Sequence, residues 1–91
     1  MVVYIAGKID GEPNYKEIFA KAEQFLKSRG HIVLNPAILP EGMPYERYMP
    51  ICMAMLDQAD AVYLLNNWTD SRGAMIEMSY AGYQGKLGKY L

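Results

Sequence analysis

The sequence predicts an α/β fold, a parallel sheet of four or five strands with helices on both faces, and three observations carry that reading. Short apolar runs such as Val2 to Ala6 lack a polar alternate face, as expected of strands buried on both sides. Stretches between them repeat apolar residues at three and four, the helical period. The two kinds of segment alternate along the whole chain, which implies right-handed crossovers between parallel strands.

Val2 to Ala6 is the first strand, stopped by Gly7. From Tyr15 to Arg29, Ile18, Phe19, Ala22, Phe25 and Leu26 form one apolar face between lysines and glutamates, and Gly30 closes this first helix. His31 to Leu34 is the second strand, ended by Asn35 and Pro36. The loop Ala37 to Pro44 holds two prolines and Gly42, too much punctuation for regular structure. Tyr45 to Gln58 is the second helix, in which Pro50 removes an amide donor and is expected to start the regular part or kink it. Ala61 to Leu65 is the third strand and Asn66 to Asp70 a turn. Ser71 to Gln84 is the last helix, closed by Gly85, and Leu87 to Leu91 is a weak fourth strand.

Bulk properties narrow the function. Ninety-one residues suffice for one domain, expected to span 1–91, and cannot bury a second core. A net charge of −1 offers no field for a nucleic-acid backbone. Cys52 is the lone cysteine and no charged, long apolar leader opens the sequence, so the expected setting is a reducing cytoplasm, away from membranes. One histidine, His31, no cysteine pair and no serine in a nucleophile elbow argue against a zinc enzyme or serine hydrolase. No metal or cofactor is expected.

Ligands of open parallel sheets collect outside the carboxyl ends of the strands. Three segments converge there: Gly7-Lys8-Ile9-Asp10-Gly11, the loop from Asn35 to Tyr45, and Asn66 to Gly73. The two glycines of the first suit either a phosphate nest or a plain turn. In the third, Ser71 or Asp70 can cap the last helix, with Arg72 and the Gly73 amide beside its positive dipole end. An anion would be held there; the alternative is a capped helix with a solvent-facing arginine. Asn66, Asn67 and Trp68 follow the third strand, where the indole can stack on a base or seal a subunit contact.

Glu77 is the only charged side chain between Arg72 and Lys86. At 100° per residue it points between Gly73, Ala74 and Ala81, whose small side chains leave a notch beside the carboxylate. Alternatively Glu77 and Gln84 form one narrow solvated stripe. The helix is otherwise apolar around most of its circumference, which calls for a partner subunit and hence a homodimer or larger homo-oligomer.

The opening Val3-Tyr4-Ile5-Ala6-Gly7, the stretch Gln58-Ala59-Asp60-Ala61-Val62, and Ser71-Arg72-Gly73-Ala74 followed by Glu77 and Tyr80-Ala81 resemble the nucleoside 2-deoxyribosyltransferase superfamily. The resemblance spans nearly the whole chain. It is closest to a branch of short uncharacterised domains, and the last helix also resembles deoxynucleoside 5′-monophosphate N-glycosidases. It implies a three-layer flavodoxin-like or Rossmann-like domain that cleaves or transfers at the N-glycosidic bond of a nucleoside or nucleoside monophosphate. Glu77 matches the family's glutamate nucleophile and Tyr4 the tyrosine that orients it. Gly7, Lys8, Ile9, Asp10, Gly11, Asn66, Trp68, Ser71, Arg72 and Gly73 are the substrate-binding candidates. Ser71 matches the monophosphate glycosidases, where transferases often carry aspartate, so a phosphate-bearing ligand assisted by Arg72 and Lys8 is expected. Cys52 stands where the family frequently has an aspartate, eight residues before Asp60. A thiol does not replace a proton-shuttling carboxylate unless its pKa is depressed, which keeps a noncatalytic nucleotide-binding or sensing module as the alternative.

Overall fold

The computed structural model describes residues 1–90. Strands β1 (Val2–Ala6), β2 (Ile32–Leu34), β3 (Ala61–Leu64) and β4 (Leu87–Tyr90) form one sheet in the order β2-β1-β3-β4, and every neighbouring pair is parallel. Three helices connect them: α1 (Tyr15–Ser28), α2 (Tyr45–Asp57) and α3 (Arg72–Tyr83). This is the α/β, flavodoxin-like arrangement expected, with four strands. Leu91, the expected end of the last strand, lies outside the described residues.

Alternation along the strands divides the core in two. Tyr4, Ala6, Val62 and Leu64 face α2 and α3, packing with Cys52, Leu56, Ala74 and Ala81. Val3, Ile5, Tyr63 and Leu65 face α1, packing with Phe19, Ala22 and Leu26. Each large side chain fully withdrawn from water, Phe19 and Leu56 among them, contributes about 1.5–3 kcal/mol of transfer free energy. Because both faces are covered, β1 and β3 have no polar alternate positions, which is why they read as continuous apolar runs.

Two local expectations need adjustment. Pro50 does not start α2: the helix runs from Tyr45 to Asp57 with Pro50 inside it at an exposed position. The loop after β2 contains a short 3-10 turn, Pro36–Ile38. Asn35 caps it by accepting from the Ala37 amide at 2.9 Å, and Pro36 presets the first φ. A second 3-10 turn, Trp68–Asp70, occupies the predicted turn after β3.

Side chains at the far end set the rotation of α3. Tyr80 Oη and Gln84 Nε2 both donate to Asp57 Oδ1, at 2.7 and 3.0 Å. Lys86 Nζ donates to the carbonyls of Leu56 and Asp57 at 2.7 and 2.9 Å, satisfying the negative end of α2. Asp60 joins β1 to β3: its amide donates to Val2 O at 2.7 Å and its Oδ2 accepts from Val2 N at 2.8 Å. No helix among the described residues is long and apolar enough to cross a membrane.

Candidate active site

The chain leaves β1 for one face of the sheet and β3 for the other, so the loops at their C-terminal ends diverge and open a crevice. A cavity of about 720 Å³ occupies this position. Its walls are Gly7 and residues 9–13 after β1, parts of the segment 36–52, and the start of α3. Gly7 lets the first wall turn away: a Cβ there would lie 2.6 Å from Leu65 Cδ1 and 2.9 Å from Leu65 Cβ. That close approach admits glycine alone.

Tyr4 and Glu77 lie at the cavity's inner end. Ala74, Glu77 and Ala81, spaced by three and four, are the buried residues of α3, and the two alanines bring the helix close enough to the sheet for Tyr4 to reach it. Tyr4 Oη donates to Glu77 Oε2 at 2.6 Å, and the two residues are 1% and 6% exposed. Burial pushes the Glu77 carboxyl up to about 7, and the Tyr4 hydrogen bond opposes that rise. Burial also drives the Tyr4 phenol far upward, reinforced by the neighbouring Glu77 charge. Cys52 is buried beside Tyr4, and its thiol is raised chiefly by burial. Gln84 is turned outward to Asp57, so the single solvated stripe of Glu77 and Gln84 does not form.

Ser71 caps α3, accepting from the Ala74 amide at 3.1 Å. Gly73 sits close to α2: a Cβ there would meet Tyr45 Oη at 3.0 Å and Met49 Sδ at 3.7 Å. Arg72 lies away from the cavity, in a shallow depression with Thr69, Asp70, Met75, Ile76 and Ser79. Five positions separate it from Glu77, a rotation of about 140° at 3.6 residues per turn, so one helix cannot turn both inward.

Of the residues singled out in the sequence, the fold brings Gly7, Ile9, Asp10, Gly11, Ser71 and Gly73 to the cavity with Tyr4 and Glu77. Lys8, Asn66, Trp68 and Arg72 do not line it. Lys8 donates its backbone amide to Asn67 Oδ1 at 3.0 Å, tying the first loop to the third. Asn66 is exposed, and Trp68 packs against the core with Leu64 and Ala74. Neither of the cations expected to support a phosphate is in the cavity lining, and Arg72 is exposed. Tyr45, Tyr48, Met49 and Cys52, which do line it, share one face of α2. Their three- and four-residue spacing was visible in the sequence, but it equally describes a core-facing stripe. Tyr48 Oη also accepts from Met43 N at 3.1 Å and donates to Pro40 O, holding the loop in place. The charged residues of the lining are Asp10, Glu12, Glu41 and Glu77, with no lysine, arginine or histidine. Among the described residues no group of three histidine, cysteine or carboxylate side chains is arranged to hold a metal ion.

The family described as a domain of unknown function, DUF4406, matches residues 1–90. The chain belongs to that family. No curated protein matches this DUF4406 domain in sequence. Among solved structures it is similar to a 2-deoxyribosyltransferase from the psychrotolerant bacterium Bacillus psychrosaccharolyticus, with a TM-score of 0.76 and 23% identity over 99% of this chain and 71% of that one. It is also similar to a 2-deoxyribosyltransferase from Leishmania mexicana, with a TM-score of 0.77 and 19% identity over 99% of this chain and 63% of the other. The DUF4406 domain thus has the fold of these transferases at about two-thirds of their length, and the resemblance read from the sequence holds at the level of fold.

Proposed function

We propose that this DUF4406 domain cleaves or transfers at the N-glycosidic bond of a nucleoside, with Glu77 as nucleophile and Tyr4 as the residue that orients it. The observation that carries this reading is the buried Tyr4–Glu77 hydrogen bond, 2.6 Å, at the inner end of a cavity large enough for a nucleoside. The Glu77 carboxylate attacks C1′ as the base departs, and water or a second base then displaces the glycosyl ester. The bond from Tyr4 fixes one carboxylate oxygen and leaves the other for the sugar. Lys8 and Arg72 lie off the cavity, which favours an unphosphorylated nucleoside over a monophosphate.

Incubation with deoxynucleosides and their monophosphates, following release of free base, tests this reading. Glu77→Ala and Glu77→Gln should each lose at least about a thousandfold in turnover, and equal turnover by variants and parent would remove Glu77 from the mechanism. Cys52 favours a second reading, a nucleoside-binding module without turnover, since Glu77 is the one buried carboxylate among the described residues. Saturable binding with no base release would support it. We further propose that the molecule forms a homo-oligomer: Met75, Ile76 and Tyr83 of α3 are exposed large hydrophobic residues. A monomeric mass in sedimentation at micromolar concentration would contradict that.

A further inference from the structure

The cavity carries charge of one sign. Asp10, Glu12, Glu41 and Glu77 line it without a cation among them. Lys16 approaches Glu41, Nζ to Oε2 at 2.7 Å, as a largely exposed pair, and no ion pair among the described residues reaches Asp10, Glu12 or Glu77. At the N-terminus of α3 the Ala74 amide is taken by Ser71 Oγ, and the Tyr45 hydroxyl lies close to Gly73. Tyr15, Tyr45 and Tyr48 add aromatic walls, with Met43 and Met49 between them. Carboxylates beside tyrosine rings in a partly enclosed hollow attract cations, through the focused field and through cation–π contact.

The leaving group raises the same point. A neutral base must gain a proton as its bond to C1′ breaks, or depart as an anion. The proton-bearing groups beside Glu77 are Tyr4, whose hydroxyl is committed to Glu77, and Cys52, whose thiol is raised by burial. Neither is suited to protonate a departing base. A base that is already positive needs no proton.

Resting on the N-glycosidic reading above, we propose that the cavity selects nucleosides whose base carries a positive charge, such as an N-alkylated purine. A Glu77 oxygen forms the bond to C1′ while the C1′–N bond breaks. Its electron pair passes to the ring nitrogen, so the base leaves neutral. Water then attacks C1′, the ester bond returns its electron pair to Glu77, the sugar departs, and one proton goes to solvent.

The test compares 1-methyl-2′-deoxyadenosine, a cation at neutral pH, with its neutral isomer N6-methyl-2′-deoxyadenosine. Base release by the parent protein is divided by each compound's spontaneous rate, and dissociation constants are measured on Glu77→Gln. A preference for the cation of about tenfold or more is expected in both, the size of one desolvated cation–π contact. It should shrink at least about threefold in Asp10→Asn/Glu12→Gln and again in 1 M salt, where the Debye length is about 3 Å. Equal or reversed preference, with Glu77-dependent base release intact, overturns the charge inference and leaves the N-glycosidic reading standing. Preferential binding of the cation without base release supports the charge inference and overturns catalysis. Neither binding nor cleavage of either isomer overturns both.

Discussion

Replacing Glu77 by glutamine should make the protein more stable at pH 8 and remove most of the dependence of its stability on pH between 5 and 8. The carboxyl titrates near 4.5 when unfolded and near 7 in the fold, raised by burial. Between those values the folded state holds a proton that the unfolded state has released. Stability from this group is therefore full below about 4.5, falls as pH rises through that interval, and is lost above about 7. At about 1.4 kcal/mol per pH unit, the interval is worth about 3 kcal/mol. Glutamine keeps the shape and can still accept the Tyr4 hydrogen bond, without the cost of burying a charge. Urea unfolding at pH 5 and pH 8 measures both proteins, with equal m-values as the check on two-state behaviour. The variant should gain about 3 kcal/mol on the parent at pH 8 and much less at pH 5. Curves for parent and variant that run parallel across this range would refute the claim that Glu77 is buried at a desolvation cost. A protein that retains so costly a carboxylate fits the tendency to give up stability for a reactive site.

Tyr4→Phe removes the donor that holds the Glu77 carboxyl down, so the acid limb of kcat/KM for base release should move to higher pH by about one to two units, the worth of one hydrogen bond to a charged group. An unmoved limb in the pH–rate profile would detach Tyr4 from Glu77. Gly7→Ala drives a methyl into the root of the Leu65 side chain and should cost about 1–3 kcal/mol in chemical denaturation, since the side chain cannot swing clear; no loss of stability would contradict the contact. Tyr63 buries a hydroxyl that has no hydrogen-bond partner among the described residues, on the α1 face of the sheet. Tyr63→Phe should accordingly raise stability by about 1 kcal/mol in the same assay, and a destabilised variant would point to a bond that the hydroxyl makes.

The element order was legible in the sequence because it rests on period and punctuation, which are local. Ile18, Phe19, Ala22 and Leu26 mark α1 by spacing alone, and Gly30, at φ +85°, ends it as expected. Pro50 as a start signal is equally local, and it does not hold: α2 begins at Tyr45, five residues earlier, and carries the proline inside it. The candidate site was legible in part. Glu77 stood out as a charge among small apolar neighbours, whereas Tyr45, Tyr48 and Met49 looked like ordinary helix-face residues.

What the sequence by itself determined was the alternation of buried strands with amphipathic helices, and through it the parallel sheet and the edge where loops gather. Those follow from interactions between residues a few positions apart. Only the tertiary structure decided which charges face the cavity. The orientation of α3 is set by contacts from Tyr80, Gln84 and Lys86 to the end of α2, more than twenty residues away in sequence. That rotation turns Glu77 inward to Tyr4 and Arg72 outward to water, leaving a hollow lined by carboxyl groups and tyrosines where the motif alone suggested a phosphate.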